Sequence, residues 1–174
     1  MQKRNKKIRN ATVCQTNGIT FKSQLEKMAY NCLLEHGLQP EYEPKTFTLI
    51  EPFDSITPFY DKETDSQFNK RKETGDNSPR KLVKKSNKNI QGIRYTPDFY
   101  FKYNNLNVYI EMKGFENDVH YIKKKLFRRF LDKQSGYSIY FEIYSKRQLL
   151  QAIKIIKEYE KSIEKGGGVN TTSP

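Results

Sequence analysis

Apolar residues return along this chain with two different periods, and each change of period marks an element. Leu25, Met28, Ala29, Cys32 and Leu33 recur at the spacing of one helix face, with Ser23 placed as an N-cap and Gly37 as the stop. Glu41–Ile50 reads as a strand, and Pro44 either sets it at a sheet edge or breaks it near its start. Arg94–Tyr103 and Leu106–Lys113 alternate with period two around Asn104-Asn105, a pair that tolerates the positive φ of a tight turn, so they predict a β-hairpin. Beyond Gly114, Val119, Ile122, Leu126 and Phe130 predict a basic amphipathic helix ending near Ser135-Gly136. Tyr137–Tyr144 follows as a strand. Leu149, Leu150, Ile153, Ile156, Tyr159 and Ile163 predict a last helix from about Ser145 to Lys165.

Three stretches lack either period. Residues 1–18 read as a flexible basic arm, residues 166–174 as a disordered tail, and residues 51–91 as a long excursion partly ordered around Ile56-Thr57-Pro58-Phe59-Tyr60. What remains is a single domain over 19–165. The order helix, strand, hairpin, helix, strand, helix predicts an α/β fold, a mixed sheet flanked by helices.

Composition narrows the partner. The 174 residues carry 32 Lys+Arg against 20 Asp+Glu, a formal net charge of +12. The charge is gathered in blocks: five basic residues and no acid in 1–10, eight in 70–88 against Glu73 and Asp76, and Lys123, Lys124, Lys125, Arg128 and Arg129 close together. Such blocks point to a polyanion, with nucleic acid first. Twelve Tyr and eleven Phe supply enough large rings for a core despite the low apolar fraction. No stretch approaches a membrane span and no apolar segment follows the basic start, so a cytoplasmic, non-membrane protein is expected. Cys14 and Cys32 have neither disulfide-framework nor zinc spacing.

The hairpin carries the chemistry. With a two-residue turn Tyr103 faces Leu106, and counting outward sets Asp98 opposite Glu111 and Thr96 opposite Lys113. One face then collects Tyr95, Pro97, Phe99, Phe101 and Tyr103 with Leu106, Val108, Ile110 and Met112. Tyr100 and Tyr109 fall on the other face, open either to core packing or to base stacking. Facing carboxylates repel unless something intervenes. Lys113 offsets the repulsion in part; Mg²⁺ would do so better, since it takes one or two protein carboxylates and leaves positions for water and phosphate. His120 reads as a surface or capping residue near a helix start.

Pro97-Asp98 followed by Glu111-Met112-Lys113 resembles the motif of the PD-(D/E)xK nuclease superfamily. Lys22-Ser23 with Glu26, Tyr95-Thr96-Pro97-Asp98-Phe99, Glu111-Met112-Lys113-Gly114-Phe115 and Lys125-Leu126-Phe127 are similar to small phage-encoded endonucleases and Holliday-junction resolvase-like proteins. The likeness covers about residues 20–50 and 92–156. It implies a restriction-endonuclease-like αβββαβ core and a metal-dependent endodeoxyribonuclease using Mg²⁺, or Mn²⁺ in its place. It implies Asp98, Glu111 and Glu26 as metal ligands, a backbone carbonyl from Met112, and Lys113 near the attacked phosphate. Ser23 and Glu26 also form the capping-box pattern. Branched DNA as substrate and a homodimer follow from resemblance alone; no small-molecule cofactor is expected. Lys84, Lys85, Lys88, Lys124, Lys125, Arg128 and Arg129 are the expected phosphate-gripping residues. Residues 70–88, with no apolar periodicity, are expected to be mobile. Two rivals fit the same residues: a non-catalytic DNA-binding module, and a nuclease subunit of a restriction, transposition or phage-replication complex.

Overall fold

The computed structural model describes residues 12–114 and 118–165. Residues 1–11 of the expected arm, and the expected tail at 166–174, lie outside the described residues. The inner end of the arm is a hairpin instead. Strand β1 (Cys14–Thr16) turns through Asn17 and Gly18, both at positive φ, and pairs antiparallel with β2 (Ile19–Phe21). Burial explains it: Phe21 is fully buried, and Cys14 and Ile19 pack on the same core. Helix α1 (Gln24–Glu35) starts where its cap predicts, the Glu26 amide donating to Ser23 Oγ at 3.2 Å, and ends before Gly37 at φ +77°. The strand predicted over 41–50 is broken into β3 (Glu41–Tyr42) and β4 (Phe47–Ile50). Glu43 takes a positive φ of 44° just before Pro44, which has no amide hydrogen for a ladder.

Residues 50–93 fold as a compact unit of their own. Within it, residues 70–88 include the end of a helix and a strand that the sequence pattern does not predict. Strand β5 (Tyr60–Lys62), helix α2 (Asp65–Glu73) and strand β6 (Leu82–Lys84) are tied together by polar contacts, which is why apolar periodicity missed them. The Arg71 guanidinium donates to both Glu63 oxygens (3.2 and 2.5 Å), to Ser78 Oγ (2.8 Å) and to the Asp76 carbonyl (3.1 Å). That pairing holds the buried Glu63 carboxyl below its usual range. Thr64 and Gln67 form a reciprocal capping box at the start of α2. At the neck, a Cβ on Gly92 would collide with the Ile50 carbonyl and crowd Pro52, so only glycine lets the ends come together.

The predicted long strand before the Asn turn is also interrupted. Strand β7 (Ile93–Tyr95) pairs with β4, residues 96–98 leave the ladder, and β8 (Phe99–Tyr103) resumes it. The turn through Asn104, at φ +50°, delivers the predicted register: β8 pairs antiparallel with β9 (Leu106–Met112), from Tyr103↔Leu106 to Phe99↔Ile110. After helix α3 (Asp118–Leu131), β10 (Tyr137–Ile143) lies parallel to β9, and helix α4 (Lys146–Lys165) follows. The fold is therefore mixed α/β, with four helices among the described residues and a sheet ordered β10-β9-β8-β3.

Strand β9 is buried on both faces. Val108, Ile110 and Met112 join Phe99, Phe101, α1 and α4 in one core, while Tyr109 turns to Tyr95, Phe127 and Leu131 in the other. Tyr95, expected beside Phe99, thus lies in the opposite core because the break at 96–98 resets the alternation. Tyr109 and Tyr100 pack in that second core with Phe47 and Phe127. The inner stripe of α3 is His120, Phe127 and Leu131; Val119 and Ile122 of the predicted stripe are exposed. On α4, Leu149, Ala152, Ile153 and Ile156 are buried, whereas Leu150 and Tyr159 are exposed. No helix among the described residues is long and apolar enough to cross a membrane, and both cysteines are free thiols.

Candidate active site

Asp98 stands one residue beyond the last β8–β9 ladder pair, opposite Glu111 by register. There its side chain takes over from the missing strand: Oδ2 accepts the Met112 amide hydrogen at 2.7 Å. N–H and C=O of one strand residue point to the same edge, so the Met112 carbonyl faces the Asp98 side as well. Glu111, 5% exposed, is held from two directions. Tyr95 OH donates to its Oε2 at 2.6 Å and Lys113 Nζ lies 2.5 Å from its Oε1. The expected Thr96–Lys113 pairing is absent because Thr96 has left the ladder and bonds Thr46 at 2.7 Å.

Negative charge on Asp98 is costly. Burial foremost, then the Glu111 charge, push its carboxyl up to about 8; the Met112 amide opposes this, Glu26 adds to it and Lys113 opposes it. A divalent cation would reverse the cost, and two opposed carboxylates beside a backbone carbonyl match the hard-oxygen donors that Mg²⁺ takes. The pair Asp98–Glu111, with Met112, therefore fits such an ion.

Glu26, the expected third ligand, has both oxygens engaged, as Glu111 has. Its Oε1 accepts from Ser23 Oγ at 2.8 Å, and its Oε2 accepts from Tyr42 OH at 2.6 Å and the Lys22 amide at 3.0 Å. Burial first, then the bond to Glu26, raise the Tyr42 phenol above its ordinary range, so it remains a donor. Lys22 pairs with Glu43. Among the described residues, no group of three His, Cys, Asp or Glu side chains is gathered closely enough to hold a metal ion.

A second polar layer went unseen in the sequence. Glu142 on β10 stands beside Glu111 in the parallel register, and His120 reaches both: Nε2 is 2.6 Å from Glu142 Oε1 and Nδ1 is 4.0 Å from Glu111 Oε1. His120 is thus no surface residue; it is 7% exposed. Lys124 Nζ lies 2.5 Å from Glu142 Oε2. Burial pushes the Glu142 carboxyl up, but the bonds from Lys124 and His120 outweigh it and hold it below its usual value. Tyr140 completes the layer, its hydroxyl 3.0 Å from Tyr95 OH, with its pKa raised by burial. A signal was present in the spacing of His120, Lys124 and Phe127, which is helical, but two polar members disguised it as an outer face.

The expected grip residues divide. Lys124 is half-buried and committed to Glu142, whereas Lys125, Arg128 and Arg129 are exposed along α3. Lys84 and Lys88 are exposed and Lys85 is half-buried, all within residues 50–93. A cleft of about 480 Å³ opens beside the second layer, lined by Lys124, Arg128, Asp132, Ser138, Tyr140 and Glu142. Chemically, the site offers two carboxylates that invite a cation, an ammonium beside one of them, and basic residues outside. No known family's model matches the chain, and no curated protein or solved structure matches it.

Proposed function

We propose that this chain is a metal-dependent endodeoxyribonuclease of the PD-(D/E)xK type, its restriction-endonuclease-like core formed by α1, β3, β8, β9, α3 and β10. One observation carries the reading: half-buried Asp98 and buried Glu111 stand opposite each other at a strand end, with the Lys113 ammonium 2.5 Å from Glu111. Asp98, Glu111 and the Met112 carbonyl would hold Mg²⁺, or Mn²⁺ in its place. When bound, the ion supplies a Lewis acid for a phosphoryl oxygen and an acidified water. Lys113 offsets charge developing on the phosphate, and Tyr95 and His120 fix Glu111 in place. Lys125, Arg128 and Arg129 hold the DNA backbone without reading sequence. Branched DNA is the favoured substrate and a homodimer the favoured state, both on the motif's likeness to resolvase-like proteins.

A second reading draws on the same bonds. Both Glu111 oxygens already have partners in Tyr95 and Lys113, as a non-catalytic DNA-binding module would have them. Cleavage of a four-way junction, a matched duplex and a single strand, each in Mg²⁺ or EDTA, separates the two. Metal-dependent cleavage lost in Asp98→Ala is the expected result. Full activity in EDTA, or undiminished cleavage by a folded Asp98→Ala protein, overturns the nuclease; tight binding without cleavage favours the module.

A further inference from the structure

Residues 50–93 contain a cavity that the carboxylate site does not use. Its walls are two chain segments tied at intervals: Phe53 and Ile90 exchange backbone bonds (3.1 and 2.9 Å), the Ser55 amide donates to the Asn87 carbonyl (2.8 Å), and the Lys85 amide donates to the Phe59 carbonyl (2.9 Å). Between the last two ties one segment runs through Ile56, Thr57 and Pro58 while the other has only Ser86. The longer side must bow outward, and a cavity of about 480 Å³ opens there. That lies in the range of small-ligand sites.

Its lining combines three features. Phe53, Pro58, Phe59 and Ile90 make it apolar, and Phe53 and Phe59 remain 50% and 56% exposed. Asn87 is in the lining, and its Oδ1 is shielded from solvent and has no hydrogen-bond partner among the described residues, a costly condition for an acceptor. Lys85 lines the cavity and Lys84 and Lys88 flank it in sequence, whereas the facing segment 53–60 holds one acid, Asp54, bound to the Asn89 amide. An occupant flat and apolar on its faces, with an N–H at one edge and an anionic group nearby, suits this lining. Each of the four DNA bases carries such a donor on its Watson–Crick edge once it is unpaired, and each is joined to phosphate.

We propose that residues 50–93 form a pocket for an unpaired nucleobase, with Phe53 and Phe59 as stacking surfaces, Asn87 Oδ1 accepting from the base edge and Lys85 meeting the adjoining phosphate. The proposal rests on the reading that the substrate is nucleic acid and specifies which part of it is recognised: a strand opened at a branch, gap or end. The pocket selects against a continuous duplex, whose bases hide those edges.

The test is equilibrium binding in EDTA by the full chain. The probes are a labelled single strand, the same strand with abasic sites throughout its central segment, and a matched duplex. Phe59→Ala, at an exposed position, should weaken single-strand binding about 5- to 100-fold, as loss of one stacked base does, and leave duplex binding within about twofold. Asn87→Leu should weaken single-strand binding while keeping or raising the melting temperature, since it removes a solvent-shielded acceptor. Abasic strands should bind weakly to the unsubstituted protein and be indifferent to both changes. Equal losses on duplex and single strand, unchanged single-strand affinity in both variants, or no single-strand binding at all overturns the pocket; capture of an aromatic peptide in place of the strand does the same. Because binding is read without metal, a protein that binds this way but never cleaves refutes the nuclease alone. One that cleaves while ignoring Phe59 and Asn87 refutes the pocket alone.

Discussion

Glu111 and Glu142 hold matched positions on neighbouring parallel strands, and the His120 ring spans them, 4.0 Å from one carboxylate and 2.6 Å from the other. Each acid also has its own lysine, Lys113 and Lys124. Two like charges side by side are tolerated because three nitrogen-bearing groups are arranged around them.

Lys124 is therefore expected to contribute to stability where its neighbour Lys125 does not. Lys124→Ala should cost about 1 kcal/mol, allowing for solvent screening of a partly open pair, and Lys125→Ala close to nothing. The folded Glu142 pKa is depressed, so this contribution is present above the unfolded carboxylate value and disappears as pH falls through the folded one. Urea unfolding of both variants at neutral and acid pH checks it; equal losses, or a Lys124 effect that grows in acid, would contradict the pairing.

Asp98 works in the opposite sense. Its folded pKa is raised to about 8, so the stability it lends when protonated is complete below the unfolded value and is lost as pH rises toward 8. Asp98→Asn keeps an acceptor for the Met112 amide and removes the charge. In EDTA it should stabilise the protein by on the order of 2 kcal/mol at pH 8 and by little near pH 4. Thermal unfolding across that range measures the difference, and a variant less stable at pH 8 would refute the buried charge.

Lys113 is expected to act on turnover more than on binding. Lys113→Ala should slow single-turnover cleavage about 100-fold at saturating enzyme, as removal of a transition-state charge partner does, while DNA affinity changes only slightly. Collapsed affinity with normal single-turnover cleavage would make Lys113 a grip residue instead.

Arg71 is expected to hold residues 50–93 together. In Arg71→Ala the amides of β5, α2 and β6 should exchange with solvent much faster, while those of α1, β8 and β9 keep their protection. Hydrogen exchange resolved by peptide reads this directly; uniform loss throughout the chain would show that 50–93 does not fold as a separate unit.

What the sequence disclosed was local. Ser23 with Glu26, the Asn104 turn and the register running back from it lie within a few residues of the features they determine, so pattern and structure agree. The break at 96–98 was concealed because Tyr95, Pro97 and Phe99 continue a period of two across it; only β4, far away in sequence, draws Tyr95 into the other core. The burial of His120 is hidden because a buried polar residue is recognisable only through its partner, and Glu142 is some twenty residues distant. The order of 60–84 is not legible in the sequence because it rests on Arg71 and its acceptors, which leave no hydrophobic rhythm.

The neck at Gly92 has a consequence for how this chain can change. Once β4 and β7 are joined and Ile50 meets Gly92, the length of what hangs between them scarcely matters: doubling a loop adds only about 0.6 kcal/mol of closure entropy. The segment is a cassette. It can be shortened, lengthened or exchanged while the strands bearing Asp98 and Glu111 keep their register, so whatever the cassette recognises is free to diverge at a pace the carboxylate pair cannot follow.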